Sequence, residues 1–426
     1  MRARTVVIVG GGFAGTTLAR ALEKQLPAEW QLLLISEESY TTFNPMLAEV
    51  VGAAVFPEHV VAPIREMLKR TRFIMGRVQG VDAARRELRC NTLAGPRSVA
   101  YEHLVLAFGQ RARLDLLPGL AAHALPLKLV GDAVHIRNRA LQALARIELS
   151  EDAGERRALG RFVVIGGGFS GVEVSGALAD FVRGALRHYP RIGAGEVGVS
   201  LLHDGAQLLP ELPPLLGAAA ARSLRQRGVT VLTGVRAAAV DGAAVTLAGG
   251  ARVPTRTVVC TIGTRPNPLV EALSLPTARG RILTAPDGSV GAGLWALGDC
   301  AAVPNAATGA PSPPTAQFAV AQAHWLAHNL AAHIAGRPTR PFSYRSKGAM
   351  ATTGHLKGVA QVFGLRFTGL PAWLLWRAYY LLRMPTLGRK LRIWVEWTWS
   401  MCFAADITHL RFDRTGAAAD ATSHRN

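Results

Sequence analysis

Apolar residues along this chain fall into two rhythms: short unbroken runs, and longer stretches at helical spacing. Thr5-Val6-Val7-Ile8-Val9 and Phe162-Val163-Val164-Ile165 are unbroken, as strands buried on both faces of a parallel sheet are. A glycine-rich turn follows each run, Gly10-Gly11-Gly12-Phe13-Ala14-Gly15 and Gly166-Gly167-Gly168-Phe169-Ser170-Gly171. Beyond each turn the spacing becomes helical, over residues 16–24 and 172–182. A GxGxxG turn alone is a weak signal; between a buried strand and a helix it is the fingerprint of a dinucleotide-binding unit. Its glycines let the backbone approach a pyrophosphate, and the N–H groups and dipole of the helix N-terminus hold the negative charge. Two such turns predict two dinucleotides, the arrangement of a flavin enzyme fed by a nicotinamide.

The remaining rhythm fills in the frame. Residues 31–35 close the first βαβ unit, 104–107 predict a third strand, and 130–148 have helical spacing that carries the chain into the second unit. There, strands are predicted at 197–202 and 229–232, a hairpin near 240–247, and a strand over 258–263 that ends in Gly263. Residues 294–297 form an apolar run closed by Gly298-Asp299, and 315–334 read as a helix. A short strand pattern at 359–363 precedes a stretch rich in Trp and Arg, and residues 416–426 are small and polar, expected to be disordered. The fold class is therefore α/β, with two Rossmann-like units, the second inserted in the first, and an amphipathic C-terminal region. The expected boundaries are 1–118 and 265–345 for the FAD unit, 119–264 for the NAD(P)H unit, 346–412 for membrane association and 413–426 for the tail.

Composition changes the picture in two places. Four scattered cysteines without CxxC or metal-ligand spacing suit a reducing compartment and predict neither a disulfide framework nor a metal site. With the first strand starting at Thr5, no leader is expected and the chain should stay on the cytoplasmic side. The net charge of +19 is concentrated: residues 341–400 hold nine Lys or Arg and one acid, Glu396, together with five of the eight tryptophans. No nucleic-acid-binding signature accompanies them, so no nucleic-acid partner is expected; aromatics mixed with basic residues are the composition of a membrane-interface helix. Charges interrupt residues 371–384 and 388–403 well short of the ~20 apolar residues needed to span a bilayer. The segment should lie on the membrane, and a homodimer interface built from the same aromatics is the alternative use.

Asp299, after a strand and beside a flavin site, is placed to accept hydrogen bonds from ribityl hydroxyls. Its motif completes an order in which GxGxxG, Ala107-Phe108-Gly109, a second GxGxxG, Thr261-Ile262-Gly263-Thr264 and Leu297-Gly298-Asp299 follow one another. That order resembles the flavoprotein reductases with two dinucleotide folds. Phe43-Asn44-Pro45-Met46-Leu47, Ala62-Pro63-Ile64-Arg65, Leu127-Lys128, Gly171-Val172-Glu173, Pro313-Pro314-Thr315-Ala316-Gln317, Tyr344-Arg345-Ser346-Lys347-Gly348, Ala372-Trp373-Leu374-Leu375-Trp376 and Trp397-Thr398-Trp399-Ser400 narrow the resemblance to type II NADH:quinone oxidoreductases. It covers roughly residues 5–412.

The resemblance implies FAD along the first fold and NADH on the second, its nicotinamide over the flavin. Hydride would pass to the flavin and two electrons on to a membrane quinone, without proton pumping, on the cytoplasmic face of the cell membrane. It places Ala316 and Gln317 at the quinone side of the flavin ring, Glu173 near the nicotinamide–flavin contact as a binding or proton-relaying carboxylate, Lys347 at the flavin edge, and Asn44 and Pro45 along the ring. Gly10, Gly12, Phe13, Ala14, Gly15, Val78, Ala107, Gly109, Gly298 and Asp299 would hold FAD; Gly166, Gly168, Phe169, Ser170, Gly171 and Gly263 would hold the nicotinamide dinucleotide. Read without the resemblance, Glu173 is equally a first-turn acid favouring a helix N-terminus, Gln317 a solvated helix residue and Lys347 one more surface cation. Cys300 reads as a buried inert thiol.

Three positions depart from the family pattern. The acid that ends the second strand of such folds and binds the ribose is replaced by Ser36 in the first unit, with Glu37 next, and by His203 in the second, followed by Asp204. NADH is expected as the reductant, with NADPH left open by His203. Ala321 stands where relatives carry a second glutamine, and Gln322 follows it. A sulfide:quinone reductase is the alternative chemistry, but it needs a cysteine pair at the flavin that this chain lacks. A flavin-bound redox protein with a degenerate nicotinamide site is the alternative of a different class.

Overall fold

The structure is a computed structural model that describes residues 4–410 apart from 194 and 292; the expected tail, 413–426, lies outside the described residues. Strand β1 (Thr5–Val9) is buried at every position and leads through the first glycine turn into helix α1 (Phe13–Gln25) and strand β2 (Gln31–Ser36). A short helix α2 (Leu47–Val51) follows. Chain 103–106 and 294–296 add parallel strands beside β1, and 72–82 pairs with β2 on the other side. The eight-stranded sheet thus changes strand direction of growth on either side of β1, and the glycine turn sits at that switch point, where ligands of open α/β sheets bind.

Helix α3 (Val130–Leu149) carries the chain into the second unit, where β3 (Arg161–Ile165), helix α4 (Phe169–Ala185) and β4 (Gly198–His203) repeat the pattern. Its five strands, 124–126, 257–260, β3, β4 and 230–233, are all parallel. The chain then returns to the first sheet and lays helix α5 (Ala316–Ile334) against α1. Both glycine-turn helices begin three residues earlier than apolar spacing indicates. Gly12 and Gly168 are extended caps (φ −81°, ψ −168° and φ −76°, ψ −171°), so the first turn is built from the fingerprint residues themselves.

The C-terminal region departs from expectation. In place of one strand near 359–363 there is an antiparallel meander, β5 (Gly348–Thr352), β6 (Gly358–Val362) and β7 (Leu365–Gly369). It joins the core of the second unit: a Cβ on Gly176 of α4 would lie 2.4 Å from the Thr353 backbone, and Ser223 Oγ is 2.7 Å from Thr353 Oγ1. Helices α6 (Leu370–Arg383) and α7 (Leu387–Cys402) follow. Three of the five tryptophans expected at a membrane, Trp373, Trp376 and Trp397, are core residues instead; Trp394 and Trp399 are 57% and 61% exposed. Among the described residues no helix is long and apolar enough to cross a membrane.

Candidate active site

The first glycine turn is shaped by near contacts. Gly10 has φ +115°, and a Cβ there would lie 2.4 Å from the Ala107 carbonyl oxygen; one on Gly15 would lie 1.9 Å from the Gly10 carbonyl oxygen. Gly12 and Gly109, by contrast, face open space. No side chain caps α1, so its first N–H groups are free for an anion. Gly298 packs its open face on Ala14, and its N–H donates to Gln322 Oε1 (2.7 Å). Asp299 follows it, its carboxyl pushed up by burial and drawn back by Lys128 and Arg281. Asn44 Nδ2 donates to the Lys128 carbonyl (2.9 Å), which brings the 43–47 segment to the same place. Gln322 is therefore a buried support of the Gly298 turn, and half-buried Ala321 packs against the core. The Cys300 thiol, bonded to Leu297 and Leu106 carbonyls and pushed up to about 12 by burial, is inert as expected.

At the end of β2 the two candidate positions, Ser36 and Glu37, point to different partners. Ser36 lies against Gly11, while Glu37 pairs with Arg77 (3.1 Å) and Arg111 (2.8 Å). Val78, one residue beyond Arg77, packs partly buried against the core. The second turn repeats the first: Gly166 has φ +118°, a Cβ on Gly171 would lie 1.7 Å from the Gly166 carbonyl oxygen, and Gly168 is open. Thr261 Oγ1 donates to the Ile165 carbonyl and braces this turn (2.9 Å), and Gly263, at φ +71°, packs on Leu116. His203 folds its ring against Gly167, whose N–H donates to Nδ1 (3.3 Å), with Asp204 3.5 Å away. His203 Nε2 is buried without a hydrogen-bond partner.

The predicted catalytic residues are brought together in two groups joined by one strand. Gln317, at the start of α5, donates from Nε2 to the Gly348 carbonyl (3.2 Å) and accepts at Oε1 from Tyr344 Oη (3.0 Å) and Lys347 N (3.1 Å). At the far end of β5, Thr352 N donates to Glu173 Oε1 (3.2 Å). Four residues of strand separate the two ends, about 13 Å.

Glu173 is neither a solvated first-turn acid nor an open carboxylate. It is buried in α4, where Trp376 Nε1 of α6 also donates to Oε1 (2.9 Å), and burial pushes its carboxyl up to about 8. Around it lies a network that sequence reasoning did not anticipate. Glu49 of α2, also pushed up by burial, accepts from Trp397 Nε1 (3.1 Å) and pairs with Arg377 at 3.8 Å. Arg377 is stacked between Trp373 (3.7 Å) and Trp397 (4.7 Å), and burial lowers it to about 10. This arginine, expected on the basic surface, is a core residue. An aromatic row runs from the first glycine turn to Glu173 through Phe13, Phe43, Tyr380 and Trp376, with successive ring centroids 5.4, 5.9 and 4.7 Å apart.

Residues 4–323 match the family model described as pyridine nucleotide-disulphide oxidoreductase. The chain belongs to that family. It is 28% identical to the type II NADH:quinone oxidoreductase Ndh of Mycobacterium tuberculosis over 93% of this chain and 88% of that protein. It is 29% identical to the demethylphylloquinone reductase NdbB of Synechocystis, over 92% and 95%. Among solved structures it superposes on NDH2 from Plasmodium falciparum in complex with NADH, TM-score 0.88, 17% identity, covering 96% of this chain and all of that one. The fold class and the kinship read from the motifs are borne out.

Proposed function

We propose that this protein is a type II NADH:quinone oxidoreductase that holds FAD in its first unit and reduces quinone at a membrane surface. The observation that carries the quinone reading is helix α6. Its inner side supplies Trp376, Arg377 and Tyr380 to the buried network, while Leu374, Leu375 and Leu382 stand exposed on its outer side. One helix thus touches both the reaction site and whatever apolar medium supplies the substrate. Leu391, Trp394, Val395 and Trp399 of α7 extend that exposed face, with Arg389, Lys390 and Arg392 beside it.

The first unit fits a flavin dinucleotide: Gly10 and Gly15 fit only as glycine, Gly12 and Gly109 leave room, and Asp299 is a half-buried carboxyl without an ion pair among the described residues. A bound flavin would supply the chemistry that accepts a hydride and passes electrons on in pairs. The Gly166–Gly171 turn binds the pyrophosphate of the nicotinamide dinucleotide, and His203 and Asp204 stand at its adenosine ribose. Gln317, fixed by Tyr344 and the Lys347 backbone, orients a quinone carbonyl with its amide. Glu173 is a neutral acid at pH 7 because burial outweighs its two N–H donors. Its Oε2, which no described residue hydrogen-bonds, stores that acid's proton about 13 Å of strand from Gln317, for resupply of the site and not for direct transfer to the quinone.

The purified protein tests this directly: NADH should bleach the flavin absorbance and a quinone should restore it. No bleaching with NADH or NADPH would overturn the reading, and bleaching by sulfide alone would favour a sulfide:quinone reductase. In sealed vesicles turnover should leave the lumen pH unchanged. Leu391→Glu with Trp394→Glu should abolish flotation with liposomes; deleting residues beyond 370 is a poor test, since it strips Trp373, Trp376 and Trp397 from the core.

A further inference from the structure

We infer that the tip of the β6–β7 hairpin, Phe363-Gly364-Leu365, is a second membrane-inserting element, and that the quinone site opens between it and the C-terminal helices. The inference rests on the membrane-surface reading of α6 and α7. Val362 pairs with Leu365, so Phe363 and Gly364 are the two central residues of the turn, at φ +48° and +85°. Both values are left-handed, the geometry of a type I′ hairpin, where Asn-Gly or Asp-Gly is favoured. A bulky phenylalanine at a left-handed position is disfavoured, yet Phe363 stands there 77% exposed, with Leu365 65% exposed beside it. Folding gains nothing from two apolar side chains held in water on a strained turn. A contact outside the chain accounts for them.

The surroundings identify the partner as a lipid surface. Lys347, Arg345 and Arg366 flank the tip and are exposed, and the chain carries no acid between residues 341 and 395. Apolar tip with cationic shoulders matches the acyl boundary and phosphate layer of an anionic bilayer. A two-fold contact with a second copy would instead set these cations against their own images. Position completes the case. Phe363 N donates to the Lys347 carbonyl (3.0 Å), Lys347 N donates to Gln317 (3.1 Å), and Gln317 also holds Tyr344 (3.0 Å). Tyr344 lies within electrostatic reach of Tyr379 and Arg383 at the end of α6. Gln317 therefore sits between the hairpin tip and the end of the amphipathic helix, and two insertion points would hold its approach against the acyl layer.

The test labels the tip. Phe363→Cys in a Cys402→Ser background carries a nitrobenzoxadiazole fluorophore, and vesicles of phosphatidylglycerol and phosphatidylcholine in equal parts carry a doxyl quencher on their acyl chains. Label fluorescence should shift to the blue and be quenched. A second variant, Phe363→Asp with Leu365→Asp, uses residues that tolerate the turn; its vesicle affinity should fall at least ~10-fold. Its KM for a lipophilic quinone in vesicles should rise while turnover with a water-soluble quinone stays unchanged. An unquenched label with quenched Trp394 and Trp399 emission would overturn the inference and leave the membrane reading standing. Quenching of neither would overturn both. A dimer in light scattering that the Asp variant abolishes would assign the tip to a second copy and also overturn it.

Discussion

Replacing Glu173 by Gln tests the buried acid through stability and catalysis at once. The amide oxygen can accept from Thr352 N and Trp376 Nε1 as Oε1 does, so packing and both hydrogen bonds survive while titration is lost. In the folded protein the carboxyl is raised from its ordinary 4.5 to about 8, by burial first and by Glu49 in addition. Between those values the folded state keeps a proton that the unfolded chain releases, so the group's contribution is intact below pH 4.5 and declines as pH rises towards 8. Each pH unit in that window costs about 1.4 kcal/mol, which amounts to about 3 kcal/mol at pH 7 and about 5 kcal/mol above pH 8. The Gln variant escapes this penalty. Urea denaturation of the flavin-loaded protein at pH 5, 7 and 8.5 should show the variant gaining on the parent as pH rises. Stopped-flow kinetics should show unchanged flavin bleaching by NADH and quinone reduction slowed by less than the ~100-fold that loss of a general acid in direct contact costs, because Glu173 lies a strand's length from Gln317. A stability difference that stays constant with pH would refute the reasoning, because it would mean that the carboxyl titrates like a solvated one.

Removing Arg377 should cost about 3–5 kcal/mol, the penalty of leaving Glu49 buried and unpaired, since both side chains are only 9% and 12% exposed. Adding Glu49→Gln to Arg377→Met should recover at least half of that in urea titrations; simple additivity would show that the two are uncoupled. Gly15→Ala forces a Cβ within 1.9 Å of a carbonyl oxygen, whereas Gly12→Ala meets nothing within 4 Å. The first should purify without flavin; the second should fold and lose flavin only on dilution, as read from the absorbance ratio after gel filtration. Gly171→Ala, with its 1.7 Å clash, should keep flavin and lose bleaching by NADH. His203→Glu puts back a carboxylate that accepts ribose hydroxyls and repels a 2′-phosphate, so the NADH/NADPH ratio of kcat/KM should rise at least ~10-fold.

What could be read from the sequence, and what could not, divides along the range of the interactions. The glycine turns were legible because most of what dictates them is local: an unbroken apolar run bounded by glycines reads as a buried strand, and the carbonyl within 2 Å of the missing Cβ of Gly15 or Gly171 is supplied by the same turn. Asp299 was legible for the same reason, as the residue ending one more buried strand. The C-terminal region was read by composition, and composition cannot say which side of a helix is turned inward. Trp373, Trp376, Arg377 and Trp397 raised the count of aromatic and basic residues and so argued for a membrane face, yet they form the core against which that face is mounted. Arg377 can be buried as a cation because Glu49, on a helix near the other end of the chain, lands beside it; nothing in its own neighbourhood of sequence announces a buried cation. Gln322 shows the converse. One residue turns a helix position by about 100°, so Gln322, next to Ala321 in sequence, lies on the underside of the Gly298 turn. The same arithmetic explains why helix α6 can serve two masters: positions 373, 376, 377 and 380 face the buried glutamates, and positions 374, 375, 378 and 382 face outward. A substitution in this helix should therefore act either on the chemistry or on attachment, according to its angle around the axis and not its distance along the chain.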